Sequence, residues 1–280
     1  MATDRPEKHP LLANRTMMVL AALGFCGGLP NVLANSIAPV WASAVGWSVQ
    51  AIGLLALLQL PYALKFLWAP MVDRMRLPWS RALGQRRAWL LLAQGCVGCA
   101  VLAIAWCGVQ ASSAADGPAW MPEQVSAAEA RNILFMGLLA VMVFFSATQD
   151  IVADAYRTEV LEPRRFGMGA GVFVSGYRIA FVVLGAVVLQ AADRIGWQPA
   201  VAIMGALALL GACVPLFARE PERRSAPEPG MRAAVLEPFA ELWRAWDVRV
   251  LALVAFVLLF RLPDQLGNAM TAPLLVKGLG

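Results

Sequence analysis

Charge is scarce in this sequence, and so is histidine. Of 280 residues only 15% are Asp, Glu, Lys or Arg, while 60% are hydrophobic and mean hydropathy is +0.64. A soluble domain needs a solvated surface that this composition does not supply. The single histidine, His9, sits in a polar N-terminal stretch. No imidazole is therefore available inside the apolar runs as a metal ligand or general base, and no Ser or Cys there has a base beside it. An intramembrane enzyme is set aside on that ground. Cysteine is sparse too: Cys26, Cys96, Cys99, Cys107 and Cys213 all fall within apolar runs. Cys96 and Cys99 form a C-x-x-C flanked by Gly95 and Gly98, which reads as small residues at a helix contact rather than a redox or metal site. No metal and no cofactor is expected.

What the sequence has in abundance is long apolar runs. A hydrocarbon core of ~30 Å needs ~20 apolar residues per helix, and seven stretches qualify: 17–45, 49–72, 88–109, 132–156, 169–192, 199–218 and 250–276. The first is far longer than the ~7–15 residues of a signal-peptide core, so it reads as a resident helix. The expected fold is all-α and membrane-embedded.

The net charge of +5 points to membrane orientation rather than nucleic acid, because of where the bases lie. Seventeen of the 23 Lys and Arg fall in the N-terminal tail and in the second, fourth and sixth loops. Only Arg131 and Arg194 fall in the intervening loops, and four (Lys65, Arg178, Arg261, Lys277) lie within runs. The positive-inside rule then puts the N-terminus in the cytoplasm, in an inner (cytoplasmic) membrane.

The longest polar stretch, 219–249, separates six runs from one. It opens with a Pro- and charge-rich linker, after which Val235, Leu236, Phe239, Leu242, Trp243 and Trp246 recur at helical spacing. That pattern predicts a short amphipathic helix on the membrane surface. The expected organisation is a tail over 1–16, a six-helix bundle over 17–218, a central loop over 219–249 and the first helix of a second bundle over 250–280. A repeat supports it: Leu29-Pro30-Asn31-Val32-Leu33-Ala34-Asn35 in run one matches Leu262-Pro263-Asp264-Gln265-Leu266-Gly267-Asn268 in run seven as L-P-x-x-L-x-N. Two parallel halves of a transporter leave such an echo. On this reading the second half opens and is not finished, which would leave the polar residues of run seven to lie loosely or to be covered by self-association.

Ionisable residues inside spans cost ~2.5–3.5 kcal/mol on insertion scales and usually mark function. Run two carries Lys65, run four Asp150 and Asp154 at i,i+4 on one face, run five Arg178, and run seven Arg261 and Asp264. Acids on one helix and bases on its neighbours imply static ion pairs or a path for protons and charged solute. Pro30 removes an amide donor and kinks run one beside Gly27, Gly28, Asn31, Asn35 and Ser36, as cavity-lining helices do in carriers. Gly167, Gly171 and Ser175 give run five a small-residue stripe, expected to serve packing.

Between runs two and three lie Asp73-Arg74 and Gly84-Gln85-Arg86-Arg87. They are similar to the G-x-x-x-D-R-x-G-R-R motif of major-facilitator proteins, whose Asp and arginines latch the cytoplasmic side shut. Here residues 75–83 are inserted between the two parts, and Ala69 stands where the leading Gly would be.

Three strings carry a closer likeness: Gly24-Phe25-Cys26-Gly27-Gly28-Leu29-Pro30, then P-Y-x-L-K-F-x-W-A-P from Pro61 to Pro70, then Q-D-I-x-x-D-A-Y-R from Gln149 to Arg157. With Gly176-Tyr177-Arg178 and Arg261-Leu262-Pro263-Asp264, they resemble the AmpG muropeptide permease family of the major facilitator superfamily. The resemblance implies the N-terminal six-helix bundle of such a transporter plus a seventh helix. It implies proton-driven import of N-acetylglucosaminyl-anhydro-N-acetylmuramic acid, with or without its peptide, and no catalysis. For such a solute, Lys65 and Arg178 are expected to meet carboxylates, Asn31, Asn35 and Gln149 to meet amides and hydroxyls, and Tyr62, Trp68 and Tyr177 to stack on sugars. Asp150, then Asp154, with Asp264, are expected to carry protons, and Asp73, Arg74, Gly84, Arg86 and Arg87 to form the cytoplasmic gate. Expected partners are lipid, the glycopeptide and protons. Siderophore and acetyl-CoA carriers share the Q-D-x-x-x-D element, so the solute stays open among them, and a non-transporting membrane fragment is the second class.

Overall fold

The computed structural model describes residues 10–109 and 127–221 together with residues 252, 256 and 259. By contact the chain divides into a unit Met1–Ser225 and a unit Ala226–Gly280; the first holds nearly all the described residues. Of run seven, Ala252, Phe256 and Leu259 are helical. Asp264, Arg261, the second copy of L-P-x-x-L-x-N and the amphipathic segment 235–246 lie outside the described residues.

Among the described residues all regular structure is helical, without strands. α1 (Pro10–Val32) passes through a π segment (Leu33–Ile37) into α2 (Ala38–Ala44). The second run is subdivided into α3 (Val49–Leu55), α4 (Leu60–Leu64) and α5 (Ala69–Arg74). Then come α6 (Ser80–Leu83), α7 (Gln85–Cys107), α8 (Ala127–Val160), α9 (Phe166–Ile195), α10 (Trp197–Gly211) and α11 (Val214–Phe217). Five helical stretches among the described residues are long and apolar enough to cross a membrane: Arg15–Ala44, Gln85–Cys107, Ala128–Val160, Pro163–Ile195 and Trp197–Phe217. The fold is that of an all-α membrane protein.

Two expectations about proline need correction. Pro30 does not interrupt the first span. α1 runs on through it, and the lost amide is absorbed by widening the next turns into the π segment. Side-chain amides serve the carbonyls of this loosened stretch: Asn31 Nδ2 donates to Gly27 O at 3.3 Å and Asn35 Nδ2 to Asn31 O at 3.1 Å. The second span, expected as one helix, is the one that breaks. Its 3-10 turns Ala56–Gln59 and Lys65–Leu67 precede α4 and α5, which carry Pro61 and Pro70 in their first turns. A proline is tolerated there and not in a helix interior, so two prolines divide the run into short pieces.

Lipid tails give helices no hydrophobic reason to associate, so close packing decides the bundle. α1 packs most extensively on α9, and α7 on both α8 and α10. At the first crossing backbones touch. A Cβ on Gly24 would lie 2.1 Å from Phe173 O, one on Gly176 2.1 Å from Ala21 O, and one on Gly28 2.8 Å from Tyr177 O. At the second, Gly98 fits against Leu209 and Gly205 against Leu102. Gly98 is thus the helix contact expected around the C-x-x-C, whereas Cys99 is exposed. The stripe of Gly167, Gly171 and Ser175 is exposed, and a Cβ added to either glycine would meet nothing within 4 Å. Packing falls to Gly169 and Gly176 on the other face of α9. The core has one cluster around Trp41, Trp47 and Phe135, with Trp41 stacked on Trp197, and a second around Leu23, Trp89, Tyr156 and Phe173.

Candidate functional site

Breaking the second run has a chemical result. It turns Tyr62, Lys65 and Trp68 toward α8, where a polar string, Ser146-Ala147-Thr148-Gln149-Asp150, crosses an otherwise apolar helix. Tyr62 Oη accepts from Asn31 Nδ2 at 2.6 Å and is hydrogen-bonded to Ser146 Oγ at 2.5 Å, joining α1, α4 and α8. Trp68 Nε1 donates to Thr148 Oγ1 at 3.2 Å, and its ring lies against Phe144 with centroids 5.1 Å apart. Between these contacts Lys65 Nζ forms an ion pair with Asp150 and stands 3.5 Å from Asp154 Oδ2. Arg157 closes the far side, reaching Asp154 Oδ1 at 3.0 Å while its guanidinium covers the Phe173 ring at 5.3 Å.

One ammonium therefore serves two carboxylates placed one helical turn apart. The side chains of Lys65, Asp150 and Asp154 are 32%, 34% and 43% exposed, so the cluster is open on one side and can exchange protons or meet a charged solute. Asp150 lies about ten residues, or ~15 Å of helix rise, from the Val160 end of α8. A charge pair so far inside an apolar helix is costly to place there.

The expected site residues divide into those this cluster gathers and those it does not. Asn31, Tyr62, Lys65, Trp68, Asp150 and Asp154 are brought together, with Asn35 bonded to Asn31 at the exposed edge. Tyr177 approaches from α9, half-buried. Arg178 is exposed and joins no ion pair among the described residues, so the acids of α8 are answered by Lys65 and Arg157 instead. Gln149 is buried, with no partner for its Oε1 among the described residues. Asp264 lies outside the described residues.

A second charged assembly lies at the arginine-rich end. Arg86 Nη1 meets Asp73 Oδ1 at 2.6 Å, and the same guanidinium pairs with Glu159 at the end of α8, Nε donating at 3.0 Å to Oε2. Gln85 Nε2 donates to Asp73 O. Glu220, past α11, accepts from the backbone amides of Arg86 (2.9 Å) and Arg87 (3.2 Å), capping the start of α7 where bare N–H groups and the helix dipole favour an anion. Gly84 makes the cap possible. Its φ of +94° is open to glycine, and a Cβ there would lie 2.2 Å from Glu220 Cδ. Arg87 turns away to donate to Pro215 O at 3.0 Å and Leu216 O at 2.7 Å. Residues 75–83 form the turn carrying α6, and the pairing of Asp73 with Arg86 survives their insertion. Arg74, also expected here, is half-buried at the end of α5.

Sequence reasoning missed Glu159, Glu220, Ser146 and Thr148. Glu159 had a signal, an acid ending run four beside the basic loop. Glu220 had none, since only the fold brings it to Gly84.

A bundle of long apolar helices, with acids and bases paired between them and a charged clamp at one end, has the architecture of a polytopic membrane transporter. Residues 16–193 match the family described as Acetyl-coenzyme A transporter 1, and the chain belongs to that family. It is similar to the Anhydromuropeptide permease of Escherichia coli K12, with 31% identity over 94% of this chain and 49% of the relative. It is also similar to Putative transporter AmpG 4 of Rickettsia conorii, with 25% identity over 91% of this chain and 58% of the relative. The likeness to AmpG permeases carried by the short strings thus extends along nearly the whole chain. The chain spans about half the length of the relatives it matches.

Proposed function

We propose that the protein imports anhydro-muropeptides, drawing on the proton gradient. The observation that carries this reading is the sharing of Lys65 between Asp150 and Asp154 on the open side of the bundle. Protonating Asp150 releases Lys65 for a carboxylate of the solute, so proton binding and anion binding become linked through one ammonium. Asn31, Asn35, Tyr62 and Trp68 alongside supply the amide, hydroxyl and aromatic faces that a disaccharide with an N-acetyl and a lactyl group requires. The permease named for Escherichia coli supports the solute class. In this reading Asp73, Arg86 and Glu159 hold the cytoplasmic side closed, the N-terminus is cytoplasmic, and the membrane is the bacterial inner one. The bundle 17–218, the loop 219–249 and the segment 250–280 then follow the plan of a two-bundle carrier.

The test is uptake of labelled anhydro-muropeptide into membrane vesicles carrying the protein, with and without an imposed proton gradient. Accumulation that needs the gradient supports the reading, and uptake unaffected by an uncoupler removes the proton from it. One observation favours a second solute, the match to the acetyl-coenzyme A transporter family. Competition by unlabelled acetyl-CoA in the same vesicles decides between the two.

A further inference from the structure

Lys65 stands on a lightly packed part of the chain. It opens a three-residue 3-10 turn between α4 and α5, in a run whose only buried described side chains are Leu55 and Val72. Such a turn has poorer hydrogen-bond geometry than an α-helix, and little packing fixes where its lysine points. The partner acids, by contrast, stand on the 34-residue helix α8. Two aromatic side chains bridge that difference. Tyr62 lies three residues before Lys65 and Trp68 three residues after it, a spacing that brings side chains to one face in either kind of helix.

Beyond the faces they offer a solute, each is bonded to α8 through its polar atom. Tyr62 Oη meets Ser146 Oγ at 2.5 Å, and Ser146 stands one helical turn before Asp150. Tyr62–Ser146 and Lys65–Asp150 are therefore successive rungs between the same two segments. Asn31 Nδ2 donates to the same Oη at 2.6 Å, so the hydroxyl is held from α1 as well. Trp68 Nε1 donates at 3.2 Å to Thr148 Oγ1, whose own proton goes to Phe144 O at 2.9 Å. Ser146 and Thr148 are only 2% and 3% exposed, and a buried hydroxyl is costly to leave without a partner. We propose that the Tyr62 hydroxyl and the Trp68 indole N–H are positioning groups that hold Lys65 in register with Asp150. The inference deepens the proposed function and rests on its reading of Lys65 and Asp150 as the coupling pair.

The register can be read chemically, without transport. The chain has three lysines, Lys8, Lys65 and Lys277, and an amine engaged in an ion pair acylates slowly. Acetylation of the purified protein in detergent by an N-hydroxysuccinimide ester, followed by mass spectrometry, gives the rate at Lys65 relative to Lys8. Asp150→Asn sets the scale, since Lys65 then keeps Asp154 alone. The rate should rise about fivefold in Tyr62→Phe, in Ser146→Ala and in Trp68→Phe, each of which deletes one hydrogen bond. The double variant Tyr62→Phe/Ser146→Ala should match Tyr62→Phe, because both substitutions remove the same bond. Ser175→Ala, which removes a hydroxyl from the exposed face of α9, should leave the rate unchanged. Thermal melting in detergent identifies the variants that remain folded, and the bond from Tyr62 is tested from both of its ends. Unchanged acylation of Lys65 in Tyr62→Phe and Ser146→Ala, or in Trp68→Phe, would overturn the proposal, as would additive effects in the double variant. In vesicles the same variants should lower gradient-driven accumulation. Wild-type vesicles without such accumulation would remove the coupling reading, while the acylation rates still decide whether Lys65 is held in this way.

Discussion

Lys65 and Asp150 are 85 residues apart in the chain, and they form the ion pair about which the candidate site is arranged. The lysine sits in a three-residue 3-10 turn and the aspartate on an unbroken helix of 34 residues. Asp150→Asn should leave the protein inserted and folded, because Lys65 keeps Asp154 within 3.5 Å. Gradient-driven accumulation in vesicles should fall to the level of protein-free controls. Undiminished uptake across a pH series would exclude Asp150 from coupling.

The α1–α9 crossing makes a prediction about stability. A Cβ on Gly176 meets the carbonyl oxygen of Ala21 at 2.1 Å, so Gly176→Ala forces the helices apart, at a cost of about 1–3 kcal/mol. Gly171→Ala, five residues earlier on the exposed face, should leave the melting temperature in detergent unchanged or slightly raised. Equal melting of the two variants would contradict the crossing.

Glu220 offers a local readout. In Glu220→Ala the backbone amides of Arg86 and Arg87 lose their acceptors, and their hydrogen exchange should accelerate about tenfold while the centre of α7 is unaffected. Gly84→Ala should produce the same change, since neither its φ of +94° nor the nearby carboxylate tolerates a methyl group. Unaltered exchange in both variants would mean that another group caps the helix.

Orientation can be checked by labelling. Single cysteines placed in 75–83 should react only with reagents that reach the cytoplasm, and those in 111–129 only with reagents outside. The reverse pattern inverts the assignment.

Much of this was legible in the sequence wherever one strong physical cost governed the outcome. Five of the seven apolar runs became long helices, and a lysine and two aspartates too expensive to leave alone among them found each other. Asp73 and Arg86 likewise met across an insertion. Legibility ended where competing solutions cost nearly the same. Pro30 allowed either a break or a wider turn, and the π segment settled it. Small residues line more than one face of α9, and only three-dimensional packing selects Gly169 and Gly176 over Gly167 and Gly171. Arg178 looked like a partner for the acids, but helix phase turns it outward and leaves that place to Arg157. The role of Glu220 depends on contact between segments more than 130 residues apart, which no local pattern announces.

The glycine crossing also bears on how the molecule deforms. Where Gly24 and Gly176 bring main chain against main chain, no side chain is available to change rotamer and absorb a displacement. α1 and α9 therefore behave as a single strut. The second run is the opposite: its 3-10 turns and prolines hold few internal helical bonds, and among its described side chains only Leu55 and Val72 are buried. Strain applied to the bundle concentrates in that compliant run, and Lys65 rides on it while Asp150 and Asp154 stay on the unbroken helix α8.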